Sequence, residues 1–265
     1  MDLEGRERVL RDAIRRRGSM LVAFSGGVDS SLLAGIAGEV LGDRARAALL
    51  VSPLVPASAT RSARETAAGL GIPLDLVPVP VMEEEAFLAN PADRCYHCRK
   101  VSARVLKGRA GELGLACVAD GMNASDLGEH RPGIKASDEE GIVHPFLEAG
   151  ITKEDIRGIA RIRGYGFWDR PSAACLASRI PYGDRITADR LGMIERAEDL
   201  LTDLGFAQVR VRLHGQVARI EVVPGDLGRL FQERRRILEE LRPLGFRYVT
   251  ADLAGYRSGS MDEVL

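Results

Sequence analysis

The sequence predicts an α/β protein: a doubly wound parallel sheet followed by a smaller α+β C-terminal domain. Three observations carry that reading. Residues 20–24 (MLVAF) read as a buried strand, SGGVDSS at 25–31 as a loop, and Leu32, Leu33, Ile36, Val40 and Leu41 recur at helical spacing. Two further strand patterns, 45–52 and 74–79, alternate with a helical pattern at 57–69, and the order βαβαβ implies a parallel sheet. After Gly164 the pattern changes to an irregular stretch, 165–183, with two prolines, and then to an αββαβ block. The domains expected are therefore 1–168, a connector at 169–186 carrying Cys175, and 187–265.

The remaining elements follow in order. Val9, Leu10, Ala13 and Ile14 share one face of a helix over 4–17. Residues 82–89 form a short acidic helix, which Pro91 ends. A longer helix over 95–113 opens with CYHC, and LACVAD (115–120) is a strand ending in the loop GMNASDLGEHRPG. Residues 142–146 are short and apolar. Thr152 as N-cap and Asp155 three residues on start a helix to Arg163. In the last block, 187–204 and 226–241 are helices, 207–213 and 217–223 alternate as a strand pair, and 246–253 is a final strand in a mostly antiparallel arrangement.

At 265 residues with 45% hydrophobic content, the chain has enough material for a real core. A net charge of −1 gives no general attraction to nucleic acid or to a membrane surface. The basic runs 15–17 and 234–236 fall in amphipathic helices and read as solvated faces. No apolar run reaches membrane-spanning length, and MDLEGRERVL lacks a signal-peptide core, so a cytoplasmic protein is expected. Four cysteines in such a chain suggest metal, redox or nucleophile chemistry before disulfides.

The loop SGGVDSS joins a strand to a helix N-terminus, which makes an anion site. Gly26 and Gly27 let the backbone approach a phosphate, and Ser25, Ser30 and Ser31 add hydroxyl donors. Asp29 repels a bare phosphate, so its partners are backbone amides or a nucleotide-bound Mg²⁺. The loop lacks the GK[ST] of the Walker pattern and is not GxGxxG. At the same sheet edge, Asp120, Asn123, Ser125 and Asp126 suit Mg²⁺, ribose or phosphates, or simply a turn. Lys153 and Arg157 share a helix face and suit phosphate neutralisation or a solvated face.

Cys95 and Cys98 stand as C-x-x-C among Arg94, Arg99 and Lys100, which favour thiolates, and Cys175 lies in PSAACLASRIPYG. Three thiols can hold three irons of a [4Fe–4S] cluster and leave the fourth open. Zinc, with His97 as a badly placed fourth ligand, and a redox dithiol are equal rivals on spacing alone. Cys117, inside an apolar strand, reads as core. Arg179, near Cys175, and Arg210 and Arg212, which alternate onto one strand face, suit a carboxylate or phosphate. His130, His144 and His214 show no metal spacing and read as structural.

SGGVDSS resembles the PP-loop of the ATP pyrophosphatases, which cleave ATP between the α and β phosphates. With ADGMNASD, RCYHCRK, CLASRIPYG and RVRLHG, the chain resembles the LarE-type ATP-dependent sulfur transferases along nearly its whole length. The resemblance implies an adenine-nucleotide hydrolase-like fold, with ATP and Mg²⁺ used to adenylate a carboxylate of pyridinium-3,5-biscarboxylate mononucleotide. A thiocarboxylate for the nickel-pincer nucleotide cofactor is the product. It implies ATP binding by Ser25, Gly26, Gly27, Asp29, Ser30, Ser31, Asp120 and Asn123, with Asp29, Lys153 and Cys175 catalytic. Ser178, Arg179, Arg210 and Arg212 become candidates for the substrate's phosphate or carboxylate and, behind them, Glu198 for a metal. His144 departs from the small polar residue expected before Pro145.

The family holds two chemistries. In one, a single cysteine of the CLASR segment gives up its sulfur and becomes dehydroalanine. In the other, three cysteines hold a [4Fe–4S] cluster whose unique iron carries sulfide, and Cys95, Cys98 and Cys175 match that form. The implied partners are a small-molecule nucleotide, sulfide or another sulfur donor, and further copies of the chain in a homo-oligomer. A PP-loop tRNA thiolase is the main rival, against which low net charge and few aromatics count. A PP-loop amidase or ligase leaves the cysteines unexplained.

Overall fold

The structure, a computed structural model, describes residues 2–128, 132–170, 174–257 and 259–261. His130 lies outside them. Contacts group the chain into two units: 1–84 with 95–173, and 85–94 with 174–265. Residues 85–94, which the sequence reading assigns to the first domain, thus belong with the second unit.

In the first unit, α1 (Leu3–Arg17) leads to β1 (Met20–Phe24), α2 (Val28–Leu41), β2 (Ala45–Val51), α3 (Ala57–Leu70) and β3 (Leu74–Pro78). The short helix α4 (Glu85–Leu88) belongs to the second unit; α5 (Arg94–Glu112) and β4 (Val118–Ala119) return the chain to the first. Then come α6 (Pro132–Glu139), α7 (Pro145–Glu148) and α8 (Lys153–Ile162). The sheet order is β3-β2-β1-β4, and every pair is parallel. Successive strand side chains face opposite layers. Met20, Val22 and Phe24 pack with Leu10 and Ile14 of α1, with Leu32, Leu33 and Ile36 of α2, and with Ile156 and Ile159 of α8. Leu21 packs on the other layer with Ala103, Leu106 and Ala110 of α5. Helices therefore cover both faces, as a doubly wound sheet requires. At the start of α8, Thr152 Oγ1 accepts from Asp155 N and Asp155 Oδ2 accepts from Thr152 N, closing the capping box.

Three local expectations change. The strand expected over 115–120 keeps ladder pairing only at β4, extended by a bridge from Ala119 to Val143. The acidic helix expected over 82–89 is a 3₁₀ turn, Val81–Glu83, followed by α4. The helix expected over 226–241 is two, α10 (Leu227–Gln232) and α11 (Arg234–Leu241), broken at Glu233.

In the second unit, α9 (Ala188–Asp203) buries Leu191, Ile194, Ala197 and Leu201 at three- and four-residue spacing. Strands β5 (Val209–His214) and β6 (Val217–Val222) pair antiparallel and bury Val209, Val211, Leu213, Ala218, Ile220 and Val222. The last strand, β7 (Tyr248–Ala251), pairs parallel to β6, so the small sheet is mixed rather than mostly antiparallel. The helical crossover through α10 and α11 accounts for that direction.

Candidate functional site

The loop SGGVDSS sits at the carboxyl end of β1, where α2 begins. Gly27 is the N-cap of α2 and supplies no side-chain cap, so the helix start is left for an anion. Gly26 has φ +74°, and a Cβ there would stand 2.8 Å from Ala63 Cα, so only glycine fits between the loop and α3. Arg170 Nη1 donates to Gly26 O (2.8 Å) and Thr66 Oγ1 (3.0 Å), holding the loop from outside. Ser30 Oγ accepts from Ser25 N (3.1 Å), lies 3.1 Å from Ser25 Oγ and donates to Gly27 O (3.2 Å).

Lys153 Nζ donates to Asp29 Oδ2, bringing the first residue of α8 onto the first turn of α2. Asp29 Oδ1 is buried and has no hydrogen-bond partner in the described residues, and neither has Ser31 Oγ. A carboxylate oxygen withdrawn from water without a donor is costly. The site fits a nucleotide carrying Mg²⁺, because the cation would satisfy that oxygen and the phosphates would engage the helix start.

The neighbouring loop is tightly self-bonded. Asn123 N and Nδ2 donate to Asp126 Oδ2 (3.0 and 2.8 Å), and Asn123 Oδ1 accepts from Ser125 N (3.1 Å). Ser125 Oγ accepts from Lys153 N (3.1 Å), which ties this loop to the lysine. Asp120 is buried. Its Oδ1 accepts from Met122 N (3.1 Å) and lies 2.6 Å from His144 Nδ1, and its Oδ2 accepts from Arg99 Nη2 (3.2 Å). Burial pushes the Asp120 carboxyl up, but His144 and Arg99 overcome that and hold it below its ordinary value. Arg157 lies on α8, one turn on from Lys153.

The second unit gathers the CLASR turn and the predicted arginines. Cys175 is exposed and caps the 3₁₀ turn Leu176–Arg179. Its carbonyl accepts from Ser178 Oγ (2.7 Å) and Arg179 Nη1 (2.9 Å). Arg179 is 2% exposed, and its fork is bidentate on Glu198 of α9 (2.9 and 3.0 Å), while Glu198 Oε1 also accepts from Val211 N (3.0 Å). Arg212 donates to Glu221 Oε2 (3.0 and 2.8 Å) and to Ser178 O (3.0 Å). Arg210 donates to Val209 O (2.7 Å) and stacks over Tyr256 (5.4 Å). Ser178, Arg179, Arg212 and Glu198 are thus joined around Cys175, with Glu198 committed to Arg179 and to the β5 backbone.

No protein-family model matches the chain. An uncharacterized protein of Synechocystis is 39% identical over 265 residues, 99% of both chains. A protein of Methanocaldococcus jannaschii, also uncharacterized, is 28% identical over 90% of this chain and 91% of its own. The pyridinium-3,5-bisthiocarboxylic acid mononucleotide synthase of Lactiplantibacillus plantarum is 36% identical over 245 residues, 92% of this chain and 89% of its own. The chain belongs to the LarE-type sulfur transferases.

In this LarE-type chain Cys95 and Cys98 lie one turn apart at the start of α5, the first exposed and the second half-buried. They fall in the first unit and Cys175 in the second. Among the described residues, no three His, Cys, Asp or Glu side chains are gathered closely enough to hold a metal ion. Cys117 packs at the rim of the core, with Sγ 3.5 Å from Ser19 O, and burial pushes its thiol up. Two contacts beside the glycine loop and Asp120 escape the sequence patterns. Arg170 looks like any connector arginine, and His144 looks structural until Asp120 and Asp138 are seen on its two ring nitrogens.

Proposed function

We propose that this protein adenylates a carboxylate of pyridinium-3,5-biscarboxylate mononucleotide with ATP and converts it to a thiocarboxylate in nickel-pincer nucleotide synthesis. The Lactiplantibacillus plantarum relative's name, which specifies a pyridinium bisthiocarboxylate mononucleotide, supports the substrate class. The observation that carries the chemistry is the pairing of Lys153 with Asp29 at the uncapped start of α2, with Asp29 Oδ1 buried and unpartnered.

Hydroxide is a poor leaving group, so a carboxylate must be activated before sulfur can replace its oxygen. The substrate carboxylate oxygen attacks the α-phosphorus, the bond to the bridging oxygen breaks, and pyrophosphate leaves. The α2 amides and Lys153 stabilise its charge, and Asp29, through its unpartnered Oδ1, would hold the Mg²⁺ that the nucleotide carries. A sulfur nucleophile then adds to the acyl carbon and AMP departs with the C–O electron pair. Arg210 and Arg212 bind the substrate's anionic groups, and Ser178 and Arg179 fix the Cys175 turn.

Cys95, Cys98 and Cys175 are the proposed ligands of a [4Fe–4S] cluster. Bound there, it would supply sulfide at an open iron. Thiol chemistry and the one-turn spacing of Cys95 and Cys98 support this. The protein is further proposed to be a cytoplasmic homo-oligomer; among the described residues no helix is long and apolar enough to cross a membrane.

The test is turnover of anaerobically prepared protein with ATP, Mg²⁺ and the dicarboxylate nucleotide, expected to give AMP and pyrophosphate. ADP and orthophosphate instead would overturn the reading. The sulfur source is read separately. With a cluster, iron and sulfide accompany the protein, and Cys95→Ala, Cys98→Ala and Cys175→Ala are each inactive. With sacrifice, only Cys175→Ala is inactive, and intact mass shows loss of one hydrogen sulfide.

A further inference from the structure

After β7 the chain turns back over the arginine-bearing face of the small sheet. Asp252 N donates to Ile220 O (2.9 Å) and Tyr256 N to Val222 O (2.8 Å), so the strap continues along β6. Gly255 has φ +70°, and a Cβ there would lie 2.7 Å from Val222 O; the strap approaches too closely for any other residue. Two side chains of the strap reach the predicted substrate arginines. The Tyr256 ring lies under the Arg210 guanidinium at 5.4 Å. Ser260, 8% exposed, accepts from Arg212 Nη2 (3.2 Å) and donates to Glu221 Oε1 (3.0 Å). Met261, also buried, places its sulfur 3.5 Å from Arg219 Nη2.

Charge is unevenly shared on this face. Arg179 has Glu198, and Arg212 has Glu221, whose carboxylate is fully buried. The register places Arg210 opposite Glu221, yet that carboxylate turns to Arg212 and Arg219 instead. Arg210 has no carboxylate within ion-pair distance among the described residues. Burial, with Arg179 and Arg212 nearby, pushes its guanidinium below the ordinary value. A half-buried cation held only by a carbonyl and an aromatic face is one to which an anion adds favourably.

We propose that the C-terminal strap is a positioning element for the substrate: Tyr256 aims Arg210 at the nucleotide's phosphate, and Ser260 fixes Arg212 beside it. This rests on the functional reading above, which puts an anionic mononucleotide in this unit. Tyr256 and Ser260 act through the arginines and touch no reacting atom.

Nicotinate mononucleotide, a pyridine mononucleotide with one ring carboxylate, serves as a binding probe in calorimetry on the full-length protein. Tyr256→Leu is expected to weaken its binding about tenfold, and Tyr256→Phe, which keeps the aromatic face, to stay within about twofold of wild type. In turnover, KM for the nucleotide rises in Tyr256→Leu while kcat and KM for ATP hold. If Tyr256→Leu does not fold, Ser260→Ala carries the test, with an expected loss of about threefold in probe affinity. Unchanged affinity in the folded variant, or equal loss in Tyr256→Phe and Tyr256→Leu, overturns the strap's role. Either result leaves the sulfur-transferase reading intact if wild type still releases pyrophosphate on adding the dicarboxylate nucleotide. Without that release in wild type, the functional reading itself fails.

Discussion

His144 Nδ1 lies 2.6 Å from Asp120 Oδ1, and its other ring nitrogen lies 3.1 Å from Asp138. Burial pushes the imidazole down, but the two carboxylates outweigh it and hold it above its usual 6.5. A raised histidine contributes its full stability below the unfolded value and loses it as pH rises through the folded one. Asp120, held below its usual 3.8, contributes above that value and loses its contribution as pH falls through the folded one. The pair is therefore worth most between those limits. Urea unfolding should show wild type losing its advantage over His144→Gln as pH is raised above about 6.5. Parallel pH profiles for the two proteins would remove the pair as the cause.

Lys153 and Asp29 should separate in kinetics. Lys153→Ala is expected to lower the rate of AMP formation by about 10²-fold through lost charge stabilisation, with the fold intact. Asp29→Ala should abolish it. Gly26→Ala should instead lose stability and ATP affinity together, since its Cβ would meet Ala63 at 2.8 Å and its φ is +74°. Rates, KM for ATP and melting temperatures of the three variants read this pattern.

Asn90 holds the inserted segment in the second unit. Its Nδ2 donates to Pro181 O (2.7 Å) and Asp184 O (2.9 Å), and its Oδ1 accepts from Arg94 (2.9 Å). It is fully buried with φ 56°. Asn90→Ala is expected to cost about 3 kcal/mol in unfaced polar groups. Asn90→Gly should cost about 1 kcal/mol less, because glycine tolerates the left-handed backbone. Chemical denaturation that ranks Ala above Gly in stability would contradict this.

Glu198 neutralises a guanidinium that is almost wholly buried. Glu198→Ala should destabilise by about 3–5 kcal/mol by leaving Arg179 unpaired. Arg179→Met with Glu198→Leu should cost much less than the sum of the single changes. Additive losses in a double-mutant cycle would mean that the two side chains act independently.

Cys117→Ala should keep full activity and cofactor content and lose about 1 kcal/mol or less. Loss of iron from that variant, in protein that otherwise carries it, would move Cys117 into the chemistry.

The first unit was legible because its signals are local. The glycine loop between an apolar run and a helical pattern, and Thr152 with Asp155 as a box, are read within a few residues. The mixed direction of the small sheet was not, since antiparallel and parallel strands have the same side-chain alternation. The partners of Arg170, His144 and Asn90 leave no sequence signal for another reason. Each makes its decisive contact with residues between 24 and 144 positions away, and a single arginine, histidine or asparagine carries no periodic mark of such a partner. Arg179 and Glu198 both stand out in the sequence, but as ligands for outside groups; their mutual pairing depends on the packing of α9 against the CLASR turn.

The chain leaves the first unit at 84, returns at 95 and leaves again after 173. No single scissile bond divides the molecule into its two halves. A gene fragment starting at 174 would encode a second half without Asn90, leaving the carbonyls of Pro181 and Asp184 without that amide. On a ribosome the order is equally constrained. Residues 85–94 emerge early and must wait for 174–265, while the first half cannot close its sheet until β4 has followed them out. The two halves therefore mature as interleaved chapters of one translation.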